Sequence, residues 1–228
     1  MTAGPASFSH GSKNRLTTHD LGRFPSDSLF DRIGRTVCEA GCLPRKELYE
    51  AWEVARRTRR HFRGGRVVDL AGGHGLLAHI MLLLDDTSPS AVVVDRAVPP
   101  SASPLRETLK RVWPRLAERV TFLAQDVAEF EITGGDVVVS SHACGSLTDI
   151  VLDLASRARA RVAVLPCCHD LDGPDARRLH GWMDGALAID VARAGRLERS
   201  GYRIWTQAIP AEITPKARLL LGEPLTSR

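Results

Sequence analysis

The stretch "RVVDLAGGHGLLAHIMLLLDD", from Arg66 to Asp86, decides the fold of this chain. A short apolar run ends at Asp69, a glycine cluster follows at 71–75, and an apolar segment of helical length begins directly after it. Glycine lets a backbone approach a ligand closely, and the first turn of a helix leaves N–H groups unpaired. The stretch therefore predicts a strand, a ligand-binding turn and a helix.

The alternation of strand and helix continues along the chain. Val-rich runs lie at 66–70, 91–95, 120–124, 136–140 and 161–166, and helix-like stretches lie at 75–85, 103–117, 146–158 and 174–199. Apolar strands separated by helices are typical of a parallel sheet covered on both faces. Two more strand-like runs, "YRIWTQAIP" and "ARLLLGEP", follow. We predict an α/β, Rossmann-like, seven-stranded, mostly parallel sheet with one reversed edge strand.

The residues before this sheet divide into two parts. Residues 1–24 are polar and predict a flexible or draped arm. Residues 25–63 carry apolar side chains at helical spacing, with a break at Gly41, and predict a helical extension. Residues 64–228 then form the α/β domain. With 228 residues, 43% of them hydrophobic and 25% charged, the chain fits one globular domain with a small appendage.

Composition also bears on compartment and partners. No run approaches 18 consecutive apolar residues, so no membrane partner is expected. The N-terminus lacks the basic-then-apolar pattern of a leader, which favours a cytoplasmic location. The five cysteines are an odd number, and Cys167 and Cys168 are adjacent, so a disulfide framework is disfavoured. Cys38 and Cys42 lie four residues apart on a predicted helix and are expected to be core or incidental thiols.

The glycine turn disfavours phosphate ligands. A P-loop needs Gly-Lys-Ser/Thr at the helix start, and the turn has none. The spacing of Gly72, Gly73 and Gly75 does not match the dinucleotide pattern, and Asp69 before the turn would repel a pyrophosphate. An acid followed by glycines favours a ligand with a cationic end. S-adenosyl-L-methionine, with its ammonium and sulfonium groups, is such a ligand.

Further acids end the next two strands. Asp95 follows "AVVV" and Asp126 follows "TFLAQ", so both fall at the carboxyl edge of a parallel sheet, where ligands bind. We expect Asp95 at the ribose and Asp126 at the adenine; the alternative is that both acids only cap helices. The full set predicted to bind the cofactor is Asp69, Ala71, Gly72, Gly73, Gly75, Asp95, Arg96, Asp126, Val127, Ser140, Ser141 and His142.

Two motifs follow the fourth and fifth strands: "SSHACGSLTD" at 140–149 and "PCCHD" at 166–170. They resemble those of a methyltransferase family that includes the eukaryotic tRNA ribose 2′-O-methyltransferases of the acceptor stem. The matching residues are His142, Cys144, Gly145, Thr148, Asp149, Cys167, Cys168 and His169. The resemblance covers residues 66–170 and implies a class I, S-adenosylmethionine-dependent methyltransferase. In three respects the chain departs from the family: Ser141 replaces a basic residue, Asp170 follows His169, and the family's zinc-finger segments are absent.

The motif residues allow several chemistries. His142 or His169 could act as the general base for methylation of a hydroxyl. Cys144 and Cys167 could act covalently, as in cytosine C5 methylation, although "SHAC" lacks the Asp and Pro of those enzymes. A soft metal could bind histidine and cysteine together, but zinc-finger spacing is missing and no metal is predicted. Alternatively, the paired cysteines only pack the sheet. We name His142, His169 and Cys144 as candidate catalytic residues.

The acceptor is predicted from charge and from the resemblance. The run "RRTRRHFRGGR" at 56–66 contains six arginines and no acid, which suits phosphates. Together with the resemblance it favours RNA, tRNA included, as partner, methylated on a ribose hydroxyl. The alternatives are a small-molecule acceptor beneath a helical lid, a solvated arginine face without function, and a non-catalytic nucleic-acid-binding module. Adenine N6 is disfavoured, because no Asp/Asn-Pro-Pro-Tyr/Phe motif follows the fourth strand.

Overall fold

A computed structural model describes residues 8–225. In it, seven strands form a single sheet in the order β3-β2-β1-β4-β5-β7-β6. The strands are β1 (Val67–Leu70), β2 (Ala91–Asp95), β3 (Val120–Ala124), β4 (Val137–Ser140), β5 (Arg161–Val164), β6 (Tyr202–Ala208) and β7 (Arg218–Pro224). The predicted seven-stranded, Rossmann-like fold is confirmed.

Strands β1 to β5 are parallel to one another, and β7 is antiparallel to both β5 and β6. The prediction of one reversed strand is therefore right, but its place at the edge is wrong: β7 lies inside the sheet and β6 forms the edge. Residues 209–217 fold back to join β6 to β7 as antiparallel neighbours, which puts β7 between β6 and β5.

Seven helices cover the two faces of the sheet within the described residues. They are α1 (Leu29–Ala40), α2 (Arg45–His61), α3 (Leu76–Leu84), α4 (Ala102–Val112), α5 (Ser146–Ala158), α6 (Pro174–Arg178) and α7 (Gly185–Arg199). One apolar core joins α1 to α4 with the first face, and a second core joins α5 and α7 with the other. Helices α1 and α2 thus share a core with α3 and β1.

Two predicted helices are shorter in the structure. The stretch 103–117 stops being α-helical at Val112, because Pro114 disfavours helical geometry in the residue before it. The stretch 174–199 forms two helices, not one. Gly181 takes a φ of 87° between them, and the Asp184 carboxylate caps α7 by accepting a hydrogen bond from the Leu187 N–H. Glycine adopts such a left-handed conformation at little cost, so the chain breaks there.

The described part of the predicted N-terminal arm lies against α1 and α2. Leu16 and Phe24 are buried in the first core, and Thr18–Arg23 forms a 3-10 helix. Residues 1–7 of that arm lie outside the described residues. Between residues 8 and 225, the structure contains no helix with both the length and the apolar character needed to cross a membrane.

Candidate functional site

A cleft opens at the carboxyl edge of the sheet. It consists of two cavities of about 450 and 370 Å³ that share Ala71, Asp95 and Leu147 in their walls. The first cavity extends to the start of α2 and the loop after β4, and the second extends to the end of β3. Because the carboxyl ends of β1, β2 and β4 meet here, the cleft occupies the place where open parallel sheets bind ligands.

Close packing around the glycine turn explains why glycine occupies positions 72 and 75. A Cβ on Gly72 would lie 2.7 Å from the Asp69 Cγ, and one on Gly75 would lie 2.7 Å from the Phe122 ring. Gly75 also has a φ of 76°, a left-handed conformation that disfavours side chains. The Gly73 N–H donates to Asp95 Oδ2 at 3.0 Å. The turn is thereby fastened to the end of β2, with its backbone facing the cleft.

Asp69 supports this turn from beneath and does not line the cleft. Its side chain is buried, and its Oδ2 accepts a hydrogen bond from the Ala78 N–H at 3.2 Å. Its Oδ1 has no hydrogen-bond partner among residues 8–225. Burial raises the pKa of Asp69 to about 7, and the nearby Asp95 charge adds to the rise. The acid thus braces the turn and is not among the residues that line the two cavities.

Ser140 and Ser141 are likewise buried behind the cleft. The Ser140 hydroxyl donates to the Leu70 carbonyl at 2.6 Å and joins β4 to β1. The predicted cofactor residues therefore separate into two groups. Those that line the cleft are Ala71, Gly73, Asp95, Arg96, Asp126, Val127 and His142. Those that support it are Asp69, Gly72, Gly75, Ser140 and Ser141.

Asp126 both lines the cleft and caps a turn. Its Oδ1 accepts a hydrogen bond from the Ala128 N–H at 2.9 Å, and its Oδ2 pairs with the Arg96 guanidinium at 3.0 Å. Those two hydrogen bonds, the backbone one first, lower the pKa of Asp126. The capping role considered for this residue is present, and the carboxylate still borders the second cavity.

Two residues that the sequence analysis did not select join His142 in the first cavity. Glu47, in the first turn of α2, and His74, in the glycine turn, meet at 2.6 Å between Oε2 and Nε2. The ring centroids of His74 and His142 lie 6.2 Å apart. One donor atom from each of Glu47, His74 and His142 lies within 4.8 Å of the others. We call these three residues the acid–base cluster.

The environment of the acid–base cluster sets its charge. Burial lowers the pKa of His142, and the Glu47 carboxylate only partly offsets that effect. For Glu47, burial acts to raise the pKa, but the hydrogen bond with His74 and the electrostatic attraction of the nearby basic side chains outweigh it, so the pKa lies below its usual value. At neutral pH the cluster therefore offers an uncharged His142 imidazole beside an ionised Glu47.

The motif after β4 forms a braced loop. Gly145 takes φ 59° and ψ −128°, a conformation that only glycine adopts readily. The Thr148 hydroxyl donates to the Ala143 carbonyl, and the buried Arg193 guanidinium joins the Asp149 carboxylate to the Gly145 carbonyl. These contacts fix the loop that carries His142, so the Thr-Asp pair has a positioning role.

The other two candidate catalytic residues lie outside the cleft. Oδ1 of Asp190 accepts a hydrogen bond from Nε2 of His169 at 2.8 Å, and the same carboxylate binds Arg193 and Arg218. His169 therefore belongs to an ion-pair network that includes Asp190 and Arg193 of α7. A metal bound jointly by histidines and cysteines would need His169 beside His142, and the structure does not bring these two residues together. Cys144 contacts Cys167 instead, with the two Sγ atoms 2.8 Å apart.

The arginine run at 56–66 is mostly engaged with internal acids. Arg56 and Arg57 bind the Glu53 carboxylate, the buried Arg59 binds Asp85, and Arg66 binds Asp136. Arg60 and Arg63 are exposed, and the Arg63 guanidinium donates to the Leu84 carbonyl. Asp85 follows α3, and Arg66 and Asp136 precede β1 and β4, so the later part of the run, Arg59 to Arg66, contacts the amino edge of the sheet, opposite the cleft. Arg57, earlier in the run, donates to Gln207 near the end of β6.

The lining of the cleft fits a ligand with a cationic end and ribose hydroxyls. Its charged residues are the acids Glu47, Asp95 and Asp126 together with the exposed Arg96. Nothing in the turn resembles the lysine and clustered N–H donors of a phosphate cradle, since the Gly73 N–H is already bound to Asp95. The residues present therefore fit S-adenosylmethionine better than a phosphorylated nucleotide.

Sequence comparison gives the family. Residues 46–171, more than half of the chain, match the model of a family described as a methyltransferase domain. This chain belongs to that methyltransferase-domain family. The match begins inside α2, so it includes Glu47 as well as His74 and His142.

The curated relatives are longer proteins. A glutathione S-transferase C-terminal domain-containing protein of Xenopus laevis is 32% identical over 204 residues, which cover 71% of this chain and 31% of the relative. Its homolog in Drosophila melanogaster is 27% identical over 199 residues, which cover 70% of this chain and 33% of the relative. The methyltransferase-family chain thus spans about a third of the length of these relatives.

Solved structures share the fold at low sequence identity. An O-methyltransferase family protein from Burkholderia thailandensis superposes with a TM-score of 0.54 at 16% identity, over 93% of this chain and 64% of that one. The mitomycin 7-O-methyltransferase MmcR gives a TM-score of 0.52 at 21% identity, over 92% and 63%. The chain therefore has the class I methyltransferase fold.

Proposed function

We propose that this domain is an S-adenosylmethionine-dependent methyltransferase. One observation carries the proposal: Asp95 ends β2 in the centre of a cleft where its carboxylate fastens the glycine turn through the Gly73 N–H. In this arrangement Oδ1 of Asp95 serves the ribose hydroxyls. When bound, S-adenosylmethionine supplies a methyl group on a positively charged sulfur.

The remaining cleft residues are assigned to the two ends of the cofactor according to the cavity that each one lines. Ala71 and Gly73 border the methionine end, and Asp126 with Val127 borders the adenine. Leu147 and Ile150 add apolar surface on the adenine side. The acids of the cleft attract a cationic ligand and keep out anions, which gives specificity for a sulfonium over a phosphate.

The acid–base cluster supports an acceptor hydroxyl. His142 is uncharged at neutral pH because burial lowers its pKa, so its free ring nitrogen can take the proton of the acceptor. The nearby Glu47 carboxylate then stabilises the imidazolium that forms. General-base catalysis of this kind contributes roughly 10²- to 10⁴-fold to a rate. The motif resemblance makes a ribose hydroxyl of RNA the acceptor of this proposal.

A small-molecule acceptor is the second candidate, and the lining of the first cavity favours it. Leu43, Pro44 and Pro99 border that cavity, and no lysine or arginine of residues 8–225 is among the residues that line it. Arg59, Arg63 and Arg66 of the arginine run lie at the opposite edge of the sheet, so they offer no phosphate contacts beside the cleft. Filter binding of RNA across a salt series distinguishes an RNA acceptor from a small-molecule acceptor. If the logarithm of the binding constant does not change with the logarithm of the salt concentration, the RNA acceptor is contradicted.

Calorimetry with S-adenosylhomocysteine tests the cofactor. We expect the wild type to bind and Asp95→Ala to bind about 10- to 100-fold more weakly, because hydrogen bonds to a charged group contribute about 1.5–3 kcal/mol. Asp153→Ala, an exposed acid on α5, is the matched control and should bind like the wild type. Absence of heat with all three proteins contradicts the proposal and favours a non-catalytic module.

A further inference from the structure

Three cysteines from two separate loops converge beside the cleft. Cys144 lies in the loop after β4, and Cys167 and Cys168 lie in the loop after β5. The Sγ atoms of all three lie within 4.8 Å of one another. Cys144 is exposed and the other two are half-buried. We call Cys144, Cys167 and Cys168 the sulfur cluster.

The distances in the sulfur cluster suit a single soft cation. A zinc ion holds each thiolate at about 2.3 Å, so two thiolates on a tetrahedral zinc lie about 3.8 Å apart. The Sγ atoms of Cys167 and Cys168 are 3.9 Å apart, and those of Cys144 and Cys167 are 2.8 Å apart. Cys144 must therefore move outward by about 1 Å. Its exposed position leaves room for that side-chain movement.

The surroundings balance the charge that three thiolates bring. The Lys216 ammonium, in the connection between β6 and β7, lies 3.5 Å from the Sγ of Cys168. Three thiolates on a divalent cation leave one negative charge, and Lys216 supplies the opposite charge directly beside it. The Gly145 N–H donates to the Cys168 carbonyl at 3.2 Å, so the backbones of the two loops are already joined at this point.

We propose that the sulfur cluster is a zinc site with Cys144, Cys167 and Cys168 as its protein ligands. The fourth position faces solvent and takes water, because His169 is held by Asp190. The ion connects the loop after β4, which carries His142, to the loop after β5. This metal site is independent of the proposed methyl transfer, and neither depends on the other being correct.

Metal titration of the reduced protein tests the site. The full chain, stripped with a chelator and kept under a phosphine reductant, is titrated with Zn²⁺ against a chromophoric chelator. We expect one equivalent per chain to bind. Cys144→Ser, Cys167→Ser and Cys168→Ser each remove a proposed ligand. Each should weaken zinc binding by more than the roughly 10- to 100-fold that is typical when a residue supporting a ligand is mutated. Cys42→Ser, a half-buried thiol outside the cluster, is the matched control and should bind like the wild type.

Cobalt substitution provides a readout that does not depend on folded variants. Co²⁺ added to the wild type should give intense sulfur-to-metal charge-transfer bands and the ligand-field bands of a tetrahedral ion. The proposal is overturned if reduced wild type binds no Zn²⁺, or if the triple serine variant binds it as well as the wild type does. A Cys144–Cys167 disulfide in peptide maps, with no zinc bound after reduction, also overturns it and identifies a redox pair.

Discussion

At the amino edge of the sheet, cations and acids pair with each other; at the carboxyl edge, acids and histidines face a cleft. Arg59 and Asp85 are both buried and bound together, and Arg66 covers Asp136. Asp95 and Glu47, in contrast, border open cavities, and each binds a group of the site itself. The charge-rich segment of the sequence therefore stabilises the fold, whereas Asp95, which ends a strand, and Glu47, at the start of α2, border the site.

The largest effect is expected from breaking the amino edge. Arg59→Ala removes the buried guanidinium that pairs with Asp85, together with its hydrogen bond to Ser88, and we expect a loss of about 3–5 kcal/mol in the free energy of unfolding. Denaturant unfolding measures it. Arg60→Ala, an exposed neighbour on α2, should change stability by less than about 0.5 kcal/mol. Equal losses in both variants would contradict the distinction between the two arginines.

The pH dependence of stability tests the carboxyl edge. Because the folded-state pKa of Asp69 is raised from 3.8 to about 7, its protonated form stabilises the folded state. That contribution is present below pH 3.8 and is lost as the pH rises through 7. We expect the wild type to lose a few kcal/mol of stability over this range relative to Asp69→Asn. Parallel pH profiles in chemical denaturation would refute the raised pKa.

Two alanine variants in the glycine turn separate the stability cost of a steric clash from that of a left-handed backbone conformation. Gly75→Ala places a Cβ 2.7 Å from the Phe122 ring and strains a φ of 76°, whereas Gly73→Ala at φ 52° meets no atom within 4 Å. The left-handed conformation costs each variant about 1–2 kcal/mol. We expect Gly75→Ala to lose more stability than Gly73→Ala by the cost of the clash. Equal thermal unfolding curves would show that Phe122 moves aside freely.

The smallest effect is expected from the exposed arginines. If the domain binds RNA at the carboxyl edge, removing Arg60 and Arg63 together should leave the salt dependence of RNA binding unchanged. For comparison, an arginine that does bind a phosphate contributes roughly 0.9 to the slope. Filter binding of the double alanine variant and the wild type across a salt series measures it. If the double variant lowers the slope of log binding constant against log salt concentration by about two, Arg60 and Arg63 bind phosphates, and the phosphate-binding side chains lie at the amino edge.

Local patterns predicted the sheet well. The five Val-rich runs, the glycine turn and Asp95 follow from short-range periodicity and from the rule that parallel strands end at one edge. The break of the last long helix had a signal in Gly181, but helical spacing on both sides outweighed it. The place of β7 inside the sheet depends on strand order, which no local pattern contains.

The acid–base cluster was only partly predictable. His142 stood out because it follows a strand, and His74 lay within the glycine turn without being recognised as a side chain of the site. Glu47 carries no local signal, because it reaches the cleft through the packing of α2 on α3. The same limit explains His169, whose partner Asp190 lies 21 residues further along the chain.

The decisive measurement is a crystal structure of the domain with S-adenosylhomocysteine. We expect the ligand to lie in the cleft, with its ribose hydroxyls on the Asp95 carboxylate and its amino acid end at residues 71–75. A cleft without the ligand at saturating concentration, or a phosphorylated nucleotide bound there in its place, would contradict this expectation.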